Sequence, residues 1–408
     1  MTFRGIVALV LTVGLSSCAS LEAPRGFSPR PATPRVAPVD ETNLTEPQRA
    51  MLASRGNLNI YKTLANHVEL YNRWSPLGRF ILNASSVQPR HREMAMLRIG
   101  WLCQSGYEWS QHARIAKASA GMSEAEIRAI AVGPQADNWS ELDRAVLTMA
   151  DELRYDAMIS DGTWAALQRG YKDEQIMELQ FTAAQYQLVS MALNSLGVQL
   201  EPTAVDRIPT DLPMPAVAQR PTGPRLASPR LAPLRPEAWS PQQKTLLGAR
   251  AAEGNVLNLF ATTVRNPQIH EPFAAFMRHL FGTTGLPPRV REMLILRTGW
   301  MWNAEYEYAH HRPLAIRAGL TEAEVDRVAR GPDAPGWNDA DRAVLRAADE
   351  LRREAFITDA TWSELGKFLD TKQRIELIYT VGGYAMTALA INSFGIPIEP
   401  NLVGYPPK

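Results

Sequence analysis

Arg92-Glu93-Met94-Ala95-Met96-Leu97-Arg98-Ile99-Gly100-Trp101, followed after a short gap by Tyr107-Glu108-Trp109-Ser110-Gln111-His112, is written twice in this chain. The second copy reads Arg291-Glu292-Met293-Leu294-Ile295-Leu296-Arg297-Thr298-Gly299-Trp300, then Tyr306-Glu307-Tyr308-Ala309-His310-His311. The register holds from Asn59/Asn258 through Glu93/Glu292 to His112/His311 and slips by one residue near Ser119. Matched order over such a span marks a duplicated unit rather than a chance motif. The most faithfully copied feature is a polar trio set in apolar helical sequence.

Outward from that stretch the period stays helical. Leu142, Ala145, Val146, Met149 and Leu153 recur at helical spacing, and Leu345, Ala348 and Leu351 repeat the pattern. Ile176, Leu179, Ala183 and Tyr186 mark a further helix, mirrored by Ile375, Ile378 and Gly382. Ser123 with Glu126, and Thr321 with Glu324, have capping-box spacing, each behind a helix-ending glycine, Gly121 or Gly319. Asp161-Gly162-Thr163-Trp164 and Asp359-Ala360-Thr361-Trp362 read as further helix starts. Alternating strand-like runs bounded by turns are missing. The expectation is an all-α protein of two tandem homologous helical-bundle domains.

The bulk properties fit that reading. A chain of 408 residues exceeds what one hydrophobic core usually serves, and each half is of ordinary domain size. Hydrophobic residues at 45% and charged residues at 21% are a normal globular balance. A net charge of +1, with no basic stripe interleaved by aromatics, argues against a nucleic-acid partner.

The N-terminal segment reads as an address. Arg4 is a positive n-region, Ile6 to Leu15 an apolar run too short to span a bilayer as a mature helix, and Leu15-Ser16-Ser17-Cys18 closes it. That ending is similar to a bacterial lipobox, with residues 1–17 a signal peptide and Cys18 the lipidated new N-terminus. Ala19 and Ser20 follow, with no Asp to favour inner-membrane retention. The expectation is a lipid-anchored envelope protein, at the outer membrane rather than the inner. Residues 18–38 then read as a Pro-rich tether and 207–233 as a Pro-rich, semi-rigid linker with no core of its own, leaving domains at 39–206 and 234–405. Cys103 is the one cysteine left after cleavage and faces Trp302 in the second copy, so it reads as a buried structural thiol.

Glu93 lies in sequence that is apolar all round except for Arg98, so its carboxylate must be paired, hydrogen-bonded or protonated. Glu108 and His112, four apart, share a helix face. A Glu beside a His raises the imidazole pKa and fixes its tautomer, a combination suited to proton transfer. The bland alternative is a plain helix pair worth roughly 0.3 kcal/mol at a surface. A divalent metal is the competing chemical reading, but the spacing is Glu-x3-His, not His-Glu-x-x-His, and one shared His per copy favours a proton relay. No metal or cofactor is expected.

At these residues the sequence resembles the carboxymuconolactone decarboxylase and alkylhydroperoxidase D-like family: Arg-Glu, an apolar helix, Tyr-Glu-Trp, then His. Asn59-Ile60-Tyr61 to Ala65-Asn66-His67 and the Gly121-Met122-Ser123 turn share the likeness. The resemblance implies an all-α bundle that oligomerises. The family's peroxidase branch uses a Cys-x-x-Cys pair, whose positions here hold Ser105 and Glu108, and Ala304 and Glu307, so neither copy forms the redox disulfide. The decarboxylase branch carries Glu at the second position and His four residues on, matching Glu108/His112 and Glu307/His311. The resemblance implies a cofactor-free carboxy-lyase acting on a lactone or enolisable acid. His112 or His311 would serve as the acid tuned by Glu108 or Glu307, with Glu93 and Glu292 orienting the relay. Arg98, Arg297, Tyr107 and Tyr306 are weaker substrate-binding candidates. Isomerisation or hydration of another metabolite, and a non-catalytic membrane-tethered scaffold, stay open.

Overall fold

The computed structural model describes residues 26–406, so the expected signal segment and Cys18 lie outside the described residues. Among the described residues every regular element is helical. The first copy contains α1 (Glu46–Arg55), α2 (Asn59–Leu64), α3 (Val68–Asn83), α4 (Pro89–Leu102), α5 (Gly106–Ala120), α6 (Glu124–Val132), α7 (Glu141–Tyr155), α8 (Asp161–Leu167) and α9 (Asp173–Leu196). The second repeats it with α10 (Pro241–Leu247), α11 (Ala249–Glu253), α12 (Asn258–Thr263), α13 (Pro267–Gly282), α14 (Pro288–Met301), α15 (Glu305–Arg317), α16 (Glu322–Arg330), α17 (Asp339–Glu354), α18 (Asp359–Leu365) and α19 (Thr371–Phe394). Among the α-helices the first differs in kind, being broken in two at Gly248 in the second copy.

Local chemistry sets these boundaries. Ser123 and Thr321 form the expected capping boxes with Glu126 and Glu324, satisfying backbone N–H groups that the first helical turn leaves free. Proline at the first position opens α4, so Glu93 sits one turn inside the helix rather than at its start. From Glu93 to Leu102 every side chain of α4 is buried, because α5, α7 and α9 all pack on it. α9 and α19 are likewise buried on all sides. By length and composition α19 is apolar enough to cross a membrane, but here it is a core helix with its apolar stretch wholly enclosed.

The two copies are not separate bodies. α9 lies along α19, α3 along α13, and the largest cluster of buried apolar residues runs through both copies. At the α9–α19 crossing a Cβ on Gly382 would come within 2.5 Å of Leu188 Cγ, so only glycine allows this approach. Polar contacts across the interface come in pairs related by the duplication. Arg154 donates to the carbonyls of Arg352 and Arg353, and Arg352 returns the bonds to Arg154 and Tyr155. Asn194 holds the carbonyls of Cys103 and Ala355, and Asn392 those of Trp302 and Ala157. One core can therefore serve the whole chain, since each copy buries its long C-terminal helix against the other.

The Pro-rich stretches are not spacers. Pro29-Arg30-Pro31-Ala32-Thr33-Pro34-Arg35-Val36-Ala37-Pro38 and Pro224-Arg225-Leu226-Ala227-Ser228-Pro229-Arg230-Leu231-Ala232-Pro233 are themselves a repeat, and each lies as a strap across the interface. Arg30 donates to the carbonyls of Cys103 and Glu354, while Arg225 donates to those of Trp302 and Asp156. Arg35 bonds Ser195, Ile357 and Asp359; Arg230 bonds Ser393 and Asp161. Helix C-termini leave carbonyls unpaired, and proline-rich backbone has few donors of its own, so arginine side chains supply the missing bonds. Val36 and Leu231 are buried beneath their straps.

Candidate active site

The α4–α5 hairpin brings the predicted trio of the first copy together. His112 Nδ1 lies 2.8 Å from Glu93 Oε2, and Nε2 lies 3.0 Å from Glu108 Oε1, the latter an ion-pair contact off the line of a good hydrogen bond. The imidazole stands edge-on to Tyr186, ring centres 4.7 Å apart. Glu93, Glu108 and His112 are 3%, 4% and 5% exposed. Burial works against a charged ring, but the Glu93 and Glu108 carboxylates outweigh it and hold the His112 pKa up at about 10. At neutral pH both ring nitrogens therefore carry protons.

Glu108 and His112 line a cavity of about 280 Å³, whereas Glu93 stays behind them. Tyr61, Tyr71, Trp74 and Tyr186 provide aromatic wall, and Gln185 lies opposite Gly78. Two buried polar atoms, Trp74 Nε1 and Gln185 Oε1, belong to residues of this wall and have no protein partner. Arg55, Arg79 and Arg114 complete the lining and make no ion pair among the described residues. Charge at the rim is thus positive, with Glu108 the single acid in the wall.

The second copy keeps the residues but not the arrangement. His311 Nδ1 lies 2.8 Å from Glu292 Oε2 and its ring stands edge-on to Tyr384. Burial alone would raise Glu292, yet His311 and Arg291 hold it below the usual carboxylate range. Glu307 differs: both carboxylate oxygens are buried without a partner, and among the described residues it makes no ion pair with His311. Burial pushes Glu307 well above the usual carboxylate range, which favours its protonated form.

The weaker candidates are engaged by other groups of the fold. Arg98 makes a bidentate ion pair with Asp151, at 2.6 and 2.9 Å, and caps α6 through the carbonyls of Ile130 and Ala131. Arg297 repeats this with Asp349, Val328 and Ala329. Gly133 and Gly331 carry positive φ, and a Cβ on either would strike that guanidinium at 2.6 or 2.8 Å. Neither arginine lines the cavity. The Tyr107 ring does, but its hydroxyl is committed to Glu201 at 2.7 Å, as that of Tyr306 is to Glu399 at 3.1 Å. His310 also pairs with Glu399, away from the His311 cluster. Cys103 is fully buried and burial raises its thiol pKa. The groups that sequence reading missed are Glu201 and Glu399, the aromatic wall and the three rim arginines. Glu201 and Glu399 occupy equivalent places in the two copies, which was a readable signal.

The model of the carboxymuconolactone decarboxylase family matches residues 69–152 and 267–350, one region in each copy, and these two tandem regions belong to that family. No curated protein matches the chain. Among solved structures, a variant of the debrominase Bmp8 in complex with 2,3,4-tribromopyrrole matches at 17% identity and a TM-score of 0.35, over 43% of this chain and 94% of its own. The apo form of the same debrominase matches at 17% identity and a TM-score of 0.35, over 42% of this chain and 92% of its own.

Proposed function

We propose that the first copy is a cofactor-free proton-transfer site for an enolisable organic acid, with decarboxylation of a carboxymuconolactone-type lactone acid as the leading reaction. The observation that carries this reading is the geometry of His112, held between two carboxylates that favour its charged form, at the wall of a cavity with a cationic rim. Loss of carbon dioxide from such an acid sends the bond's electron pair into a conjugated carbonyl. The protein then has to stabilise the enolate and return a proton to carbon. His112 is the acid, and its positive charge also stabilises the enolate. Glu108 reaches the same cavity and serves as the base in any reaction that first removes a proton. Glu93 hydrogen-bonds His112 Nδ1 and does not line the cavity, so it is a positioning residue. Arg55, Arg79 and Arg114 suit an anionic substrate, and the aromatic wall suits a planar one.

Purified full-length protein offered carboxymuconolactone-type acids, then a wider panel of lactones and enolisable acids, is assayed for carbon dioxide release and for deuterium uptake from D2O at carbon. Wild type should convert at least one, and His112→Gln should lower kcat by about 10²-fold or more. A wild-type protein inert in both assays, or a His112→Gln variant equal to it, refutes the proposal.

A further inference from the structure

We propose that this chain has one ligand site rather than two, and that the homologous place in the second copy is closed by Met277 and Phe281. The inference rests on reading the first copy's cavity as the ligand site. It follows from comparing that wall, position by position, with its duplicate.

Gly78 and Gln185 pack together in the wall of the first cavity, where a Cβ on Gly78 would lie 3.3 Å from the Gln185 amide nitrogen. Their counterparts exchange size, becoming Met277 and Gly383. The Met277 sulfur accepts a hydrogen bond from Thr387 Oγ1 at 3.5 Å. Thr387 is the counterpart of Val189, which lines the first cavity, so the methionine occupies that wall from within. Gly383 lets neighbouring side chains close in, since a Cβ there would be 2.5 Å from Leu280 Cδ1 and 3.1 Å from the Phe276 ring. Phe281 replaces Leu82, and its ring centre lies 6.3 Å from that of His311, with Arg291 packed over its face. Larger apolar groups thus stand beside the imidazole, Met277 buried and Phe281 partly exposed at the surface.

The polar lining has gone as well. Arg55, Tyr61, Ser75 and Arg114 are matched by Gly254, Phe260, Ala274 and Pro313. Two of the three rim charges are therefore absent, and Glu307 has lost its contact with the imidazole. A cluster with one rim cation left and a buried, unpartnered acid set apart from its histidine is poorly built for an anion. What the second copy retains in full is the interface: α19, the paired arginines and the strap. It is an internal partner that completes the first copy's core.

The test compares two equivalent wall positions and needs no turnover. Val189→Cys and Thr387→Cys are made separately in the full chain with Cys18 changed to Ser, and each is treated with a small neutral methanethiosulfonate while labelling is followed by mass spectrometry. The buried Cys103 is the internal control. The Val189→Cys thiol should react at least tenfold faster than that of Thr387→Cys. Adding Phe281→Leu, and then Met277→Gly, to Thr387→Cys should accelerate labelling stepwise. Equal rates at the two positions, fast or slow, overturn the inference, and so does no acceleration in a folded Phe281→Leu variant. Should the Met277→Gly protein not fold, the first comparison and Phe281→Leu still decide. Failure of the chemistry proposed above would leave this result untouched, because labelling reports access alone.

Discussion

The charge state of His112 can be perturbed through Glu93, which touches the imidazole but does not line the cavity. A rise in pKa from 6.5 to about 10 corresponds to roughly 5 kcal/mol in favour of the charged ring. Two carboxylates supply that net shift and also offset burial, so Glu93→Gln should remove more than half of it, on the order of 3 kcal/mol or more, and bring the titration down towards neutrality. The folded-state value exceeds the unfolded one, so this stabilisation is complete below about pH 6.5 and is lost as pH rises towards 10. Wild-type stability should therefore fall over that interval relative to His112→Gln, which lacks the titrating group. Imidazole nitrogen NMR on the labelled full chain reads the ring directly, and urea unfolding at several pH values reads the linkage. A wild-type midpoint near 6.5, or one that Glu93→Gln does not lower, refutes the argument. Activity of the variant then separates positioning from chemistry, because its pH profile should move with the ring's midpoint.

Arg98→Met should destabilise the protein by about 3 kcal/mol in urea unfolding by leaving Asp151 and two helix-end carbonyls without their partner, while KM stays near the wild-type value; a loss under 1 kcal/mol would return Arg98 to the list of functional candidates. Arg35→Ala with Arg230→Ala removes hydrogen bonds from both straps, and a loss of roughly 3 kcal/mol or more is expected with faster proteolysis of the strap segments; unchanged protease sensitivity would contradict bracing by the straps. Lipidation at Cys18 is proposed from the lipobox-like ending, so wild type should incorporate labelled fatty acid and partition with membranes while Cys18→Ser does neither; unlabelled, soluble wild type rules it out. Thiol-dependent peroxide reduction is expected to be absent, since Ser105 and Glu108 stand where a redox pair would be; dithiol-coupled turnover lost on Cys103→Ser would reverse that.

Helical class, the duplication and the membership of the Glu–His trio were legible in the chain because they are short-range properties. Apolar spacing, caps such as Ser123 and Thr321, and the four-residue separation of Glu108 and His112 fix local geometry within a few turns. The pairing of Glu93 with His112 was implied only by the family resemblance, and it took the α4–α5 hairpin to bring the two together. The straps were misread as spacers, because composition alone says that proline-rich backbone has no core of its own, although their Pro-Arg pattern repeats in the sequence. Their role depends on carbonyls at the ends of distant helices, and no local rule names those partners. Arg98 and Arg297 were open to two readings until Asp151 and Asp349 met them across the fold. The difference between the two sites is written in substitutions such as Gly78 against Met277, but only the tertiary structure shows which of them line the wall. His112 and His311 sit in matching sequence, yet one ring faces a second carboxylate and an open wall while the other faces Phe281. Packing decides this, because the volume left beside an imidazole is set by residues on α3, α9, α13 and α19, remote in sequence from the motif that carries it.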